Sequence, residues 1–170
     1  EIAKFRAARR VWARLMREKY DAKDPASEKL RIFAFTAGSS LTAQQAMNNV
    51  VRTSIEMMAA ALGGIQTMHV SAFDEALGVP TEEAATLALR TQQVVAFETG
   101  VLDSPDPLAG SFELERMTDD LEREIWELLA NIEKRGGALE CVNNGYFVNE
   151  ISENSYKLTM AIESGEKKVV

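Results

Sequence analysis

A chain of 170 residues, 46% hydrophobic and 26% charged, is long enough to bury the core of one globular domain. It has no run of about 18 apolar residues and no signal-peptide pattern, so we expect no membrane partner. The net charge of −7 argues against nucleic acid as the main partner. The single cysteine, Cys141, excludes an intramolecular disulfide and a multi-cysteine zinc site, and it favours a reducing, cytoplasmic setting.

The charges are distributed unevenly along the chain. Residues 1–31 carry ten Lys or Arg against five Asp or Glu, a balance of +5, and the other residues carry nine against twenty-one, a balance of −12. Hydrophobic residues recur at helical spacing over residues 2–20, with arginines between them, and predict a basic helix. An anionic ligand is one possible partner of such a helix, but we favour a solvated face or an acid–base contact within a larger protein.

Two short apolar segments, at residues 30–36 and 65–71, are bounded by turn signals and predict buried strands. One helical pattern lies between them and another follows. Strands that alternate with helices of this length pair in parallel through right-handed crossovers. Neither segment alternates cleanly between apolar and polar residues, so we expect helices to cover both faces of the pair.

Capping residues suggest where the two helices of this part begin. The first helix is predicted over about residues 42–62, with Ser40 or Thr42 as its N-cap. The second is predicted over about residues 82–99, with Thr81 as its N-cap.

The C-terminal part is predicted to be helical. A loop over residues 100–114 is rich in Gly, Pro and Asp. Thr118 is predicted to cap the helix that follows, which ends near Arg135, and a last helix spans about residues 147–164.

The chain therefore divides into three predicted parts. Residues 1–28 form an N-terminal helix and linker, residues 29–99 a strand–helix–strand–helix unit, and residues 100–170 a loop and helical segment. Two parallel strands leave both sheet edges open and do not make a stable sheet alone. We expect an α/β fold that is mostly helical by residue count and belongs to a larger protein, with further strands upstream or in another chain.

Parallel α/β proteins bind ligands at the carboxyl ends of their strands. Gly38 follows the first strand, where it allows close approach of a ligand or simply forms a turn. Asp74 and Glu75 follow the second strand; Glu75 is a candidate general base, metal ligand or acceptor for sugar hydroxyls, unless the pair only forms a turn. His69 has no second His or Cys nearby for a metal, so we expect a hydrogen-bonded core residue.

Four motifs carry a resemblance that covers most of the chain. The chain resembles the large, catalytic part of the adenosylcobalamin-dependent acyl-CoA mutases, which include methylmalonyl-CoA mutase and isobutyryl-CoA-type relatives. The motifs are NNVVRT (48–53), GGIQTMHVSAFDEALGVPT (63–81), RTQQVVAFETG (90–100) and DPLAGSFELE (106–115).

The resemblance implies a TIM-type (β/α)8 barrel, of which this chain holds the last two strand–helix units, followed by a helical segment leading towards a cobalamin-binding domain. It implies a radical 1,2-rearrangement of an acyl-CoA such as methylmalonyl-CoA to succinyl-CoA, with adenosylcobalamin (coenzyme B12) as cofactor. The implied partners are the acyl-CoA, a cobalamin-binding domain that is fused or a separate small subunit, and further subunits of a homo- or hetero-oligomer.

Three cofactor-binding residues carry over from the resemblance. Gly38 matches a glycine against the corrin face, Glu75 the acid that contacts the adenosyl ribose, and Gly78 a small residue, commonly alanine, whose backbone lies close to cobalamin. The family's tyrosine, arginine and catalytic histidine, and its cobalt-ligating motif, have no counterpart here, and His69 does not match that histidine. We therefore expect no catalytic residue and no metal ligand in this chain, which should be inactive alone.

Three positions depart from the family pattern, and one competing function remains open. The family usually has Gln where this chain has Phe35, a larger residue, often Trp, at Ser39, and often Asn at Ser71. The alternatives are an isobutyryl-CoA-type mutase, or a non-catalytic assembly module in which the basic N-terminal helix and the acidic stripe over residues 117–133 make subunit contacts.

Overall fold

A computed structural model describes all residues, 1–170. The fold is mostly helical with one small sheet, as predicted, and the chain divides into two compact units, Glu1–Arg123 and Glu124–Val170. No helix combines the length and the apolar composition that a membrane crossing requires. The elements are α1 (Ile2–Arg14), β1 (Phe33–Phe35), α2 (Asn48–Leu62), β2 (Thr67–His69), α3 (Glu82–Glu98), α4 (Phe112–Lys134), α5 (Ala138–Asn143) and α6 (Tyr146–Glu163).

The two strands form a two-stranded parallel sheet, which confirms the predicted parallel pairing. Phe33 lies opposite Thr67 and Phe35 opposite His69. Each strand has three residues where the sequence predicted seven. The ladder ends early because side chains bind backbone groups that would otherwise pair between the strands. For example, Gln66 Oε1 accepts a hydrogen bond from the Ile32 N–H at 2.6 Å.

Only one face of the sheet is covered. Ala34 is 8% exposed and its neighbour across the sheet, Met68, packs against the core, whereas Phe33 and Phe35 are 63% and 53% exposed. The prediction that helices cover both faces is therefore wrong for this chain. The strands have period-two exposure, but the exposed positions of β1 are filled by aromatic residues, which hid the alternation from the sequence.

The hydrophobic core lies between α2, α3 and the segment that follows β2. Alanines make up half of its buried members, and the larger side chains of Met58, Met68 and Phe73 pack at its margin. Its buried members are Met57 on α2, Val70 and Ala72 after β2, and Ala84, Ala88 and Val95 on α3.

Helix α2 begins six residues later than predicted. It starts at Asn48, and neither Ser40 nor Thr42 caps it, so that prediction was wrong. The preceding backbone turns through Gln45, whose φ of +50° interrupts a helix. The backbone of Thr42 is instead bound by the side chain of Asn49.

One predicted cap is confirmed and another is wrong. The Thr81 hydroxyl accepts a hydrogen bond from the Ala84 N–H at 3.2 Å at the start of α3. Helix α4 begins at Phe112, so Thr118 lies well inside it and is fully buried. The Thr118 hydroxyl donates to the carbonyl of Leu114, one turn earlier in the same helix, at 2.7 Å. It is thus hydrogen-bonded inside the helix and does not cap its start.

The basic helix α1 makes its acid–base contact within this chain. The Arg6 guanidinium, with 10% of its side chain exposed, binds Asp106 Oδ2 at 3.0 Å and Glu115 Oε1 at 2.7 Å. Arg6 and Gly110 N–H hold the pKa of Glu115 at about 2. Further pairs join Arg10 to Asp119 and Arg14 to Glu122.

Candidate functional site

The carboxyl ends of β1 and β2 are joined by hydrogen bonds between Thr36 and Ser71. The Ser71 N–H donates to Thr36 Oγ1 at 2.8 Å, and the Ser71 hydroxyl donates to the Thr36 carbonyl at 3.0 Å. The Thr36 N–H donates to the His69 carbonyl at 3.1 Å, which extends the ladder by one bond. Both side chains are 1% exposed, so the two loops that follow start from a fixed base.

The loop after β1 presents Gly38 to solvent. Gly38 begins a single 3-10 turn, Gly38–Ser40, and the preceding Ala37 N–H donates to Glu56 Oε2 of α2 at 3.0 Å. A Cβ added at Gly38 would meet no atom within 4 Å. The packing of this chain therefore leaves space beside Gly38 that a ligand can occupy.

The loop after β2 begins with two carboxylates in different surroundings. Asp74 is 8% exposed, and its Oδ2 accepts hydrogen bonds from the N–H and the hydroxyl of Thr81 at 2.9 and 2.8 Å. The Thr81 N–H, with its hydroxyl, lowers the pKa of Asp74, so this carboxylate is ionised and fastens the start of α3. Its Oδ1 is buried without a protein partner.

Glu75 and Gly78 lie further along the same loop. Glu75 is half-buried, and its Oε1 accepts a hydrogen bond from the Ala72 N–H at 2.7 Å, which fixes the carboxylate while Oε2 accepts none from the chain. Gly78 is exposed, and a Cβ there would meet no atom within 4 Å. The expected turn is present, and it also leaves one carboxylate oxygen of Glu75 available.

His69 is not the core residue that the sequence predicted. Its side chain is exposed on the open face of the sheet and stacks on Phe35, with ring centroids 4.4 Å apart. The cause is the same as that of the open face: β2 turns its half-buried middle residue, Met68, towards the core and its two flanking residues outward.

Sequence reasoning missed the buried polar residues that organise the site. Asn49 is fully buried on α2 and binds both loops, through Thr42 and through Phe73. A signal for it exists in the sequence, because Asn49 lies on the same helical stripe as the buried residues Thr53 and Met57. A polar residue on a stripe that continues into the apolar residues Met57 and Ala60 indicates a buried hydrogen-bonding group.

The arrangement suits the binding of a polar ligand better than acid–base chemistry by this chain. It offers one fixed carboxylate with a free oxygen, at Glu75, and open backbone at Gly38 and Gly78. A carboxylate oxygen readily accepts hydrogen bonds from sugar hydroxyls. No group of three or more His, Cys, Asp or Glu side chains could hold a metal ion.

Fold and site together define a parallel α/β protein with a candidate ligand site at the carboxyl ends of its strands. The sequence profile of the family described as methylmalonyl-CoA mutase matches residues 1–170. The chain belongs to the methylmalonyl-CoA mutase family.

Similar proteins include mutases from bacteria and from animals, and each aligns with the whole of this chain. The 2-hydroxyisobutanoyl-CoA mutase large subunit of Aquincola tertiaricarbonis is 45% identical over 170 residues, and the chain covers 30% of it. Methylmalonyl-CoA mutase of Cereibacter sphaeroides is 43% identical, with 24% covered. The human mitochondrial methylmalonyl-CoA mutase is 41% identical, with 23% covered. The chain thus spans less than a third of these relatives.

Proposed function

We propose that this chain is part of the catalytic subunit of a coenzyme B12-dependent acyl-CoA mutase, which rearranges an acyl-CoA such as methylmalonyl-CoA. Membership of the methylmalonyl-CoA mutase family supports the reaction class. The relatives' size, with this chain spanning 23–30% of each, supports a subunit in which other segments supply the remaining barrel strands and the catalytic residues. We accordingly expect no mutase turnover from these 170 residues alone.

The observation that carries the proposal is the shared position of the three candidate cofactor-binding residues. Gly38 lies on the loop after β1, and Glu75 and Gly78 lie on the loop after β2. The bonds between Thr36 and Ser71 hold the starts of these loops side by side. The space beside both glycines and the free oxygen of Glu75 therefore lie on the loops that leave the same end of the sheet, the carboxyl end of its strands.

In this proposal the chain binds and orients adenosylcobalamin, which supplies the radical chemistry when bound. Glu75 Oε2 accepts hydrogen bonds from the hydroxyls of the adenosyl ribose, while its Oε1 stays on the Ala72 N–H. The backbone at Gly38 and Gly78 would lie against the corrin, and at Gly38 a side chain would intrude. The cobalamin-binding domain, fused or as a separate small subunit, would complete the site. The name "large subunit" of one relative favours an oligomer.

The proposal is tested by substituting Glu75 in the full-length subunit, assembled with its cobalamin-binding partner if that is separate. Loss of a hydrogen bond to a charged group costs about 1.5–3 kcal/mol, so Glu75→Ala should weaken adenosylcobalamin binding on the order of tenfold to a hundredfold. The dissociation constant is measured by absorbance titration and compared with acyl-CoA turnover.

Glu83→Ala is the matched control. Glu83 is an exposed glutamate in the first turn of α3, eight positions along the chain from Glu75, and takes no part in the proposed site. It should bind the cofactor as the wild type does. A wild-type subunit that binds no adenosylcobalamin, or a Glu75→Ala variant with unchanged affinity, contradicts the proposed function.

A second candidate function concerns the acyl group, and Phe35 is the observation that favours it. The ring of Phe35 is 53% exposed on the open face of the sheet and stacks on His69. The usual glutamine at this position can donate hydrogen bonds to a carboxylate, whereas phenylalanine cannot. An acyl-CoA without a free carboxylate, such as 2-hydroxyisobutanoyl-CoA, the compound in the name of one relative, suits this surface better than methylmalonyl-CoA.

A Phe35→Gln variant of the full-length subunit separates the two substrates. We expect it to raise kcat/KM for methylmalonyl-CoA relative to 2-hydroxyisobutanoyl-CoA on the order of tenfold, because it adds a donor for the carboxylate. Phe33→Gln changes a similarly exposed ring two residues further from the strand end and serves as the control. An unchanged ratio in Phe35→Gln rejects this second candidate and leaves the B12-dependent function in place.

A further inference from the structure

We propose that Asn49 is a positioning residue that fastens the two cofactor-facing loops to each other and so sets the affinity for adenosylcobalamin. The inference rests on the proposed function. Asn49 lies in the first turn of α2, is 0% exposed, and is the largest of the fully buried side chains in the chain.

The side chain of Asn49 pairs with the backbone of the first loop at Thr42. The Thr42 N–H donates to Asn49 Oδ1 at 3.1 Å, and Asn49 Nδ2 donates to the Thr42 carbonyl at 2.9 Å. The carboxamide thus binds both backbone groups of one residue, as a neighbouring strand would. Thr42 lies four residues after Gly38, so this pair fixes the returning end of the loop that contains Gly38.

The same carboxamide binds the second loop. Asn49 Nδ2 also donates to the Phe73 carbonyl at 2.8 Å, and Phe73 precedes Glu75 by two residues. The orientation of the amide follows from its neighbours. The nitrogen faces the carbonyls of Thr42 and Phe73, and the oxygen faces the Thr42 N–H and the guanidinium of Arg52. All four hydrogen bonds of the carboxamide are therefore used. Its nitrogen alone binds both loops, since it donates one hydrogen bond to each.

Arg52 supports this junction from the next turn of α2. Its Nη1 donates to Asn49 Oδ1 at 2.8 Å and to Thr42 Oγ1 at 3.0 Å. The first bond holds the carboxamide in the rotamer that reaches the loops, and the second holds the Thr42 hydroxyl beside it. Both residues lie in the motif NNVVRT (48–53).

The consequence is mechanical coupling between the parts of the candidate site. Thr36 and Ser71 join the loops where they leave the strands, and Asn49 joins them again further out. Between the two junctions lie Gly38 in the first loop and, in the second loop, Ala72, whose N–H binds Glu75 Oε1. Without the junction at Asn49 the loops remain joined at the strand ends, but the distance between their outer parts is no longer fixed. A cofactor that contacts both loops must then restore this distance on binding, which lowers its affinity.

An Asn49→Asp variant of the full-length subunit tests the inference. Aspartate has the same shape, but a carboxylate oxygen then faces the carbonyls of Thr42 and Phe73 in place of the donor. Asn48→Asp is the control, because Asn48 is the adjacent residue of the same type and its Nδ2 donates only to Gln45 Oε1, at 3.1 Å. We measure the adenosylcobalamin dissociation constant by absorbance titration, and kcat and KM for the acyl-CoA at saturating cofactor.

We expect Asn49→Asp to raise the cofactor dissociation constant at least tenfold, with KM for the acyl-CoA within twofold of the wild-type value, and Asn48→Asp to change neither. Hydrogen exchange of the cofactor-free subunit should become faster in both residues 37–42 and residues 72–77, although these segments are distant in sequence. Wild-type affinity and exchange in Asn49→Asp overturn the inference but leave the proposed function standing. A wild-type subunit that binds no adenosylcobalamin overturns both.

Arg52→Lys provides a second variant if Asn49→Asp does not fold. Lysine keeps the charge but not the planar guanidinium that reaches Asn49 and Thr42. It should raise the cofactor dissociation constant about threefold to tenfold, again without a change in KM for the acyl-CoA. Equal affinity of Arg52→Lys and the wild type then overturns the inference.

Discussion

Thr36 and Ser71 exchange two hydrogen bonds across the carboxyl ends of the two strands, and both side chains are 1% exposed. The two bonds use a hydroxyl of each residue, so neither alanine nor valine can replace either partner without leaving a buried backbone group unpaired. This arrangement gives a physical reason for Ser71, one of the three departures from the family pattern. A serine hydroxyl is short enough to reach the Thr36 carbonyl directly.

Ser71→Ala should destabilise the subunit by about 1–3 kcal/mol, because it leaves the buried carbonyl of Thr36 without its donor. The free energy of unfolding is measured by urea denaturation of the full-length protein. Ser39→Ala is the control, since Ser39 is an exposed serine on the neighbouring loop. Equal stability of Ser71→Ala and Ser39→Ala would show that the pair contributes nothing beyond solvent hydrogen bonds.

Thr81→Ala should have a larger effect than an ordinary cap deletion. The hydroxyl of Thr81 accepts from the Ala84 N–H and also donates to Asp74 Oδ2, so its loss removes a cap and a partner of a buried carboxylate. We expect a loss of about 1–2 kcal/mol from the cap and a further loss from Asp74.

The pH dependence distinguishes these two contributions of Thr81. The pKa of Asp74 is lowered in the folded protein, so its contribution to stability is present at neutral pH and is lost as the pH falls through that lowered pKa. The difference between wild type and Thr81→Ala in urea denaturation should therefore shrink in acid. Thr91→Ala, which removes a mid-helix hydroxyl bound to the Leu87 carbonyl, should show a small difference that does not change with pH.

The sequence was sufficient where a single local signal decides the structure. Thr81 followed by two glutamates predicts a helix start, and α3 begins at Glu82. Apolar segments separated by a helix predict parallel strands, and β1 and β2 pair in parallel. Each of these features depends on neighbours in the chain or on a general rule of handedness.

The sequence was insufficient where a distant residue replaces the local partner. Thr42 looks like a helix cap, but its backbone is bound by Asn49, and α2 begins only at Asn48. Thr118 also looks like a cap, but it is buried against α1, where it accepts a hydrogen bond from Arg6 at 3.0 Å. The candidate site follows the same division: its loops were predictable from the strand ends, whereas the junctions between the loops were not.

Arg6→Met should lower stability in a pH-dependent way. The pKa of Glu115 is lowered from 4.5 to about 2, first by the side-chain hydrogen bond from Arg6. A carboxylate with a lowered folded-state pKa stabilises the protein above its unfolded-state pKa, and this contribution disappears as the pH falls from about 4.5 to about 2. The stability difference between wild type and Arg6→Met should therefore be constant from pH 7 to about 5 and decrease below that, as urea denaturation at several pH values would show.

Arg31→Met is the control for the loss of one positive charge. Arg31 is exposed and forms no ion pair. Its substitution should change stability little, and by a similar amount at each pH. A difference between wild type and Arg6→Met that stays constant down to about pH 3 would contradict the assignment of the acid-sensitive contribution to Glu115.

Gly38→Ala should separate folding from cofactor binding. A Cβ at Gly38 meets no atom of the chain within 4 Å, so stability should stay equal or rise by about 0.4–1 kcal/mol through the lower entropy of the unfolded chain. In the proposed site the same methyl group intrudes on the corrin, and we expect the adenosylcobalamin dissociation constant to rise roughly tenfold, about 1.4 kcal/mol. Gly63→Ala is the opposite control: its Cβ would lie 2.7 Å from Phe5 Cδ2, so it should lower the free energy of unfolding by about 1–3 kcal/mol. Unchanged cofactor affinity in Gly38→Ala would mean that the space beside this glycine faces solvent in the holoenzyme and that Gly38 takes no part in the site.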